Sequence, residues 1–138
     1  MRINDILTED KNNTPDFVEM LNNFLPLAMS ALELTVLPKF KLMLRVPDDE
    51  QPTFGKFVND ENTIYLAIED RHPLDVIRTL AHELVHFKQG TEHNLDATAG
   101  ETGSPQENEA HELAGIMMRD FNKAHPQYFN EPAINLEH

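Results

Sequence analysis

The chain contains no cysteine. That absence removes disulfides, thiol nucleophiles and Cys-built zinc or iron-sulfur centres, so any transition-metal site has to be assembled from His and carboxylates. Tryptophan is missing too and Tyr occurs only twice, yet eight Phe and a hydrophobic fraction of 40% leave enough apolar surface for a core. A length of 138 residues suits one domain rather than two. Basic residues are scarce: 11 Lys and Arg against 24 Asp and Glu give a net charge of −13. Such a field repels phosphate backbones and anionic lipid heads, which argues against nucleic-acid and membrane-surface partners. No run approaches the roughly 18 apolar residues of a membrane span, and Met1-Arg2-Ile3-Asn4-Asp5 lacks the charged-then-apolar pattern of a signal peptide; a soluble, cytoplasmic chain is expected. Leu136-Glu137-His138 matches the start of a common cloning scar that leads into a polyhistidine tag, so residues 1–135 are the expected domain and His138 is set aside.

The pattern of the rest is α+β. Thr14-Pro15-Asp16 reads as a helix start, and Phe17, Met20, Leu21, Phe24, Leu25 and Leu32 recur near helical spacing to about Leu34, with Pro26 a point of kinking. Lys39 to Val46 alternates basic and apolar for most of its length, as a strand with one wet face does. Phe54 to Val58 and Thr63 to Ile68 flank the polar connection Asn59-Asp60-Glu61-Asn62, predicting a hairpin within three antiparallel strands. Pro73 opens a second helix to about Gln89, with Gly90 placed as its left-handed stop. The stretch from Gly90 to Gly103 reads as a flexible loop able to act as a lid. Ser104-Pro105-Gln106-Glu107 is a capping box that starts a third helix running to about Ala124.

The chemistry concentrates in His82-Glu83-Leu84-Val85-His86, an H-E-x-x-H inside the second predicted helix. Residues four apart differ by only about 40° of rotation, so both imidazoles point the same way and can share one cation. Val76, Ile77, Leu80, Leu84 and Phe87 form the apolar stripe of this helix, and the two His lie on roughly its opposite side. Two His make an incomplete site, since catalytic zinc normally takes three protein ligands and a water. The third helix offers Glu109 at the margin of a stripe formed by Ala110, Leu113, Ala114, Met117 and Phe121, and Glu109 is the expected third ligand. Glu107 is the near competitor, with a helix-capping task of its own. His93 is another competitor, one residue late for the H-E-x-x-H-x-x-G-x-x-H register, as Gly90 also is. His111, two residues from Glu109 and so on nearly the opposite side of the helix, reads as a surface residue.

Thr79 to His86 and Pro105 to Ala114 together resemble the active-site and Glu-ligand helices of small zincin metallopeptidases of the gluzincin type, including short bacterial and phage peptidases such as the repressor-cleaving, radiation-response family. The resemblance covers about residues 54 to 121. It implies a zincin-like minimal domain that binds one zinc through His82, His86 and Glu109 and hydrolyses a peptide or protein substrate. Glu83 would be the general base that takes a proton from zinc-activated water and passes it to the leaving amine. A neutral donor to the developing oxyanion is also expected, with Tyr65, His93 and Tyr128 as unranked choices. It further implies that the strand holding Ile64, Tyr65 and Leu66 is the edge along which an extended substrate pairs. Thermolysin-like members place an Asp partner for a zinc His where Leu113 stands here, leaving that role unassigned. The alternative from another class is a catalytically silent regulatory or binding module on the same fold, against which the intact Glu83 speaks.

Overall fold

The computed structural model describes residues 14–43, 54–92 and 104–134. Helix α1 (Thr14–Leu32) is followed by strands β1 (Lys39–Met43), β2 (Gly55–Val58) and β3 (Thr63–Ala67), then by helices α2 (Pro73–Glu92) and α3 (Pro105–Ala124). Short 3-10 turns occupy Asn59–Glu61 and Pro126–Asn130. The class is α+β, in the element order that the residue patterns predict. Helix α1 runs through Pro26, whose ring lies on the exposed side, while Phe17, Met20, Leu21, Phe24, Ala28 and Leu32 are buried at helical spacing. Among the described residues no helix is long and apolar enough to cross a membrane.

The sheet differs from the all-antiparallel expectation. Strands β2 and β3 form the predicted antiparallel hairpin, pairing Gly55 with Leu66 and Val58 with Thr63. Asn62 closes it in the left-handed region at φ 52° and ψ 43°, a conformation Asn tolerates better than most residues. Strand β3 then inserts between β1 and β2, so the order is β1-β3-β2 and β1 pairs parallel to β3, from Lys39 with Thr63 to Met43 with Ala67. The cause is topological: β2 reverses the chain and β3 reverses it again. This also corrects the expected substrate edge, because Ile64, Tyr65 and Leu66 lie on the central strand, hydrogen-bonded on both sides.

One core joins the sheet to the helices. Ile64 and Leu66 turn inward from β3 and Phe40 from β1, meeting Val76, Ile77, Leu80 and Leu84 of α2. Phe57 of β2 meets Phe87 of α2 edge-to-face at 5.7 Å, and Phe24 of α1 meets Phe121 of α3 in the same manner at 5.3 Å. Helix α2 is therefore packed by α1, α3, β2 and β3 together. It also extends past its expected stop: Gly90 is helical and the helix ends at Glu92. A mid-helix Gly costs about 1 kcal/mol relative to Ala, an amount the buried Phe87 and Gln89 of the same region can offset.

Close approach of β2 to α2 is set by Gly55. A Cβ at that position would stand 2.4 Å from Thr79 Cγ2, far inside van der Waals contact, with Leu66 Cδ2 at 3.4 Å and Glu83 Cγ at 3.5 Å. Gly55→Ala is therefore expected to destabilise the fold by about 1 to 3 kcal/mol, the usual range for overpacking. Thr79→Ser removes the offending methyl and keeps the hydroxyl that accepts from Arg71 and donates to the Asp75 carbonyl. Urea unfolding of the two single variants and the double variant checks this: Gly55→Ala should cost clearly less when combined with Thr79→Ser, and strict additivity would place the contact elsewhere.

Candidate metal centre

Helix α2 presents His82 and His86 toward the first turn of α3, while Glu83 lies against Gly55 and Phe57 of β2. That turn begins with the expected cap: the Ser104 hydroxyl accepts from the Glu107 backbone N–H at 3.1 Å, and Pro105 occupies the first turn. The Glu107 carboxylate points at the α2 histidines. Its Oε1 lies 2.8 Å from His82 Nε2, and its Oε2 lies 3.1 Å from His86 Nε2. His111, one turn further along α3, brings Nε2 to 3.3 Å from Glu107 Oε1 and its ring to 4.6 Å from that of His82. One carboxylate thus gathers three imidazoles from two helices.

Donor atoms of His82, Glu107 and His111 all lie within 4.8 Å of one another, so this group could bind a metal ion. His86 approaches the second oxygen of the same carboxylate. Two ligands on a tetrahedral zinc with bonds near 2.0–2.1 Å stand about 3.3 Å apart. The separations from Glu107 to His82, His86 and His111, at 2.8, 3.1 and 3.3 Å, are at or slightly inside that value; the group whose donor atoms all lie mutually close is His82, Glu107 and His111, and His86 meets the carboxylate on its other oxygen. Burial, ahead of the opposing pull of Glu107, lowers the His82 pKa from 6.5. That favours the neutral ring, the form that offers a lone pair.

Several expected site residues stand elsewhere. Glu109 is exposed, and its Oε1 accepts from Gln89 Nε2 at 2.9 Å; the carboxylate that meets the two His comes from Glu107 instead. The reason is rotational: at 100° per residue Glu107 and His111 are about 40° apart, whereas Glu109 is about 160° from Glu107. His111 accordingly belongs to the cluster, although 69% of its side chain remains accessible. The Tyr65 hydroxyl donates to Glu61, a hydrogen bond that raises its pKa, and the Lys41 ammonium sits over its ring at 5.9 Å. Tyr128 is buried against Phe121, with its hydroxyl accepting from Asn23 at 2.7 Å. Neither Tyr joins the cluster. Of the expected Gly90–Gly103 lid, residues 90 to 92 are helical, and His93 with the rest, to residue 103, lies outside the described residues.

Beside the cluster is a cavity of about 300 Å³ whose walls include Phe54, Arg78, Thr79, Glu83, His111 and Gly115. Among the described residues, Glu83 is the only carboxylate besides Glu107 that lines it. Burial, more than the repulsion from Glu107, raises its pKa from 4.5 to about 7, while the His86 ring and the backbone N–H of Phe57 pull the other way. A carboxyl poised near neutrality can both take and return a proton. Comparisons of this chain with protein-family models, curated proteins and solved structures gave no match.

The raised Glu83 pKa carries a stability consequence for the metal-free protein. Between pH 4.5 and about 7 the unfolded chain releases this proton while the folded chain retains it, so the contribution of Glu83 to stability falls as pH rises through that window. Glu83→Gln has no proton to lose. Urea midpoints measured without metal should show the variant gaining on wild type from about pH 5 to about pH 8; an equal pH dependence for the two would mean an ordinary carboxyl.

Proposed function

We propose that this protein is a zinc-dependent metallopeptidase in which His82, His86 and Glu107 hold the metal and Glu83 is the general base. The observation that carries the reading is the convergence of Glu107, from a separate helix, on both imidazoles of H-E-x-x-H, with Glu83 lining the adjoining cavity. Zinc in this donor set would supply a Lewis acid and bring the pKa of a water down to about 7. Glu83 accepts the proton of the attacking water and delivers it to the leaving amine, a task suited to a carboxyl tuned near 7. His111 replaces Tyr65 and Tyr128 as the donor to the carbonyl oxygen, since it lines the cavity. An extended substrate lies along β2, whose Gly55, with the preceding Phe54, borders that cavity.

A second reading has a specific observation in its favour. His111 is near enough to Glu107 to serve as a fourth protein ligand, and four protein ligands make a closed, structural site with no position for water. The exposure of His111 argues for the catalytic reading, because fixing a largely accessible side chain on a metal costs rotamer entropy that the buried His86 has already lost.

Metal analysis and peptide hydrolysis on four variants test both. Under the peptidase reading Glu83→Gln retains about one zinc per chain and loses activity by three or more orders of magnitude, on the order expected for an essential base. Glu107→Ala loses the metal, and Glu109→Ala retains it. His111→Ala keeps zinc and lowers kcat by about 10²-fold, near the value of one oxyanion donor. Loss of zinc and of thermal stability in His111→Ala, with no hydrolysis by wild type, would establish the structural site instead.

A further inference from the structure

Gln89 is a buried polar side chain, at 5% exposure, and both polar atoms of its amide are engaged. The nitrogen donates to the Gln106 carbonyl and to Glu109 Oε1, each at 2.9 Å. Both partners are acceptors only, so the amide cannot be turned around without facing oxygen to oxygen twice. Its Oε1 therefore faces His86 Nδ1, at 2.8 Å. An amide oxygen has no proton to give, which assigns the hydrogen of that contact to His86 Nδ1. The neutral ring then carries its lone pair on Nε2, the atom 3.1 Å from Glu107 Oε2. Two acceptors face one another there, an arrangement that a proton or a metal cation between them makes favourable.

We propose that Gln89, held by Glu109 and the Gln106 carbonyl, is the positioning residue that locks His86 in its Nδ1–H tautomer and so presents Nε2 to the metal. The proposal rests on the metal-centre reading for its consequence, while the tautomer itself is a property of the metal-free chain. Glu109 then has an indirect role: its carboxylate orients the amide that orients the imidazole, and its negative charge strengthens the Gln89 oxygen as an acceptor. The two bonds that Gln89 donates also tie the end of α2 to the start of α3 on both sides of Glu107, at Gln106 and Glu109. The register of the third ligand against His86 is thereby fixed by the residues that fix the ring.

The test uses the full chain labelled with nitrogen-15. Long-range nitrogen–proton spectra of the metal-free wild type at about pH 8, above the ordinary His range, should show His86 as the Nδ1–H tautomer. In Gln89→Leu that preference should be lost, and zinc affinity, measured by competition with a chelator, should fall about 10- to 100-fold, the usual effect of removing such a partner. Glu109→Gln keeps an amide oxygen for Gln89 to donate to, so it should retain the tautomer and stay within a few-fold of wild-type affinity. An Nε2–H tautomer in wild type overturns the proposal whether or not Gln89→Leu folds, and so does a Gln89→Leu protein with unaltered tautomer or affinity. Loss of zinc in Glu109→Gln with the tautomer intact overturns the indirect role and makes Glu109 itself a ligand. A wild type that shows the Nδ1–H ring yet binds no zinc leaves the lock standing and removes the metal-centre reading.

Discussion

The site depends on one carboxylate reaching across a helix interface. Glu107 comes from the first turn of α3, His82 and His86 from the middle of α2, and the three meet only because the two helices pack closely along their apolar stripes. Small side chains permit it: Ala110 and Ala114 are buried on α3, as is Ala81 on α2. The Ser104 cap places the first turn of α3 by satisfying the Glu107 N–H, so backbone and side chain of the same residue serve the helix start and the cluster separately. Capping and the proposed ligation are not competing uses of Glu107.

The cluster is also electrostatically unfinished. The Glu107 carboxylate stands close enough to disfavour the charge of the buried Glu83, and the lowered His82 pKa means that this imidazole brings little compensating charge. Holding Glu83 protonated near neutral pH is one way to relieve this. A divalent cation is another, and it would act on both carboxylates at once by supplying the missing positive charge among neutral nitrogen donors. Proton and metal are thus alternative solutions to the same local imbalance.

Much of this arrangement was legible in the residues and some was not, for identifiable reasons. Apolar periodicity located the three helices of the described residues, and the capping box set the start of α3 at Pro105. The H-E-x-x-H placed two imidazoles on one face without any tertiary knowledge. The parallel pairing of β1 with β3 was hidden because alternation reports which face of a strand is wet, not which neighbour it takes. The choice between Glu107 and Glu109 turned on which edge of the α3 stripe faces α2. Glu107 lies on the Ala114 and Met118 side and Glu109 on the Leu113 side, and sequence periodicity treats the two margins alike. The angle to Glu109 makes His111 a surface residue, whereas the same arithmetic measured from Glu107 places it in the cluster.

The unbroken run of α2 through Gly90 joins these elements. Had the helix stopped at Gln89 with Gly90 left-handed, Gln89 would have sat at a fraying end, where holding its side chain in one rotamer costs more than in a helix interior. Because the helix continues to Glu92, Gln89 sits inside it, three residues after His86 and therefore on a neighbouring part of the surface. Its amide can then contact His86 within its own helix and Gln106 and Glu109 across the interface. Gly90, which reads locally as a terminator, is carried in helical conformation by contacts made by its neighbours. The extra turn of helix is what lets a buried amide connect the ring of one proposed ligand to the backbone that positions another.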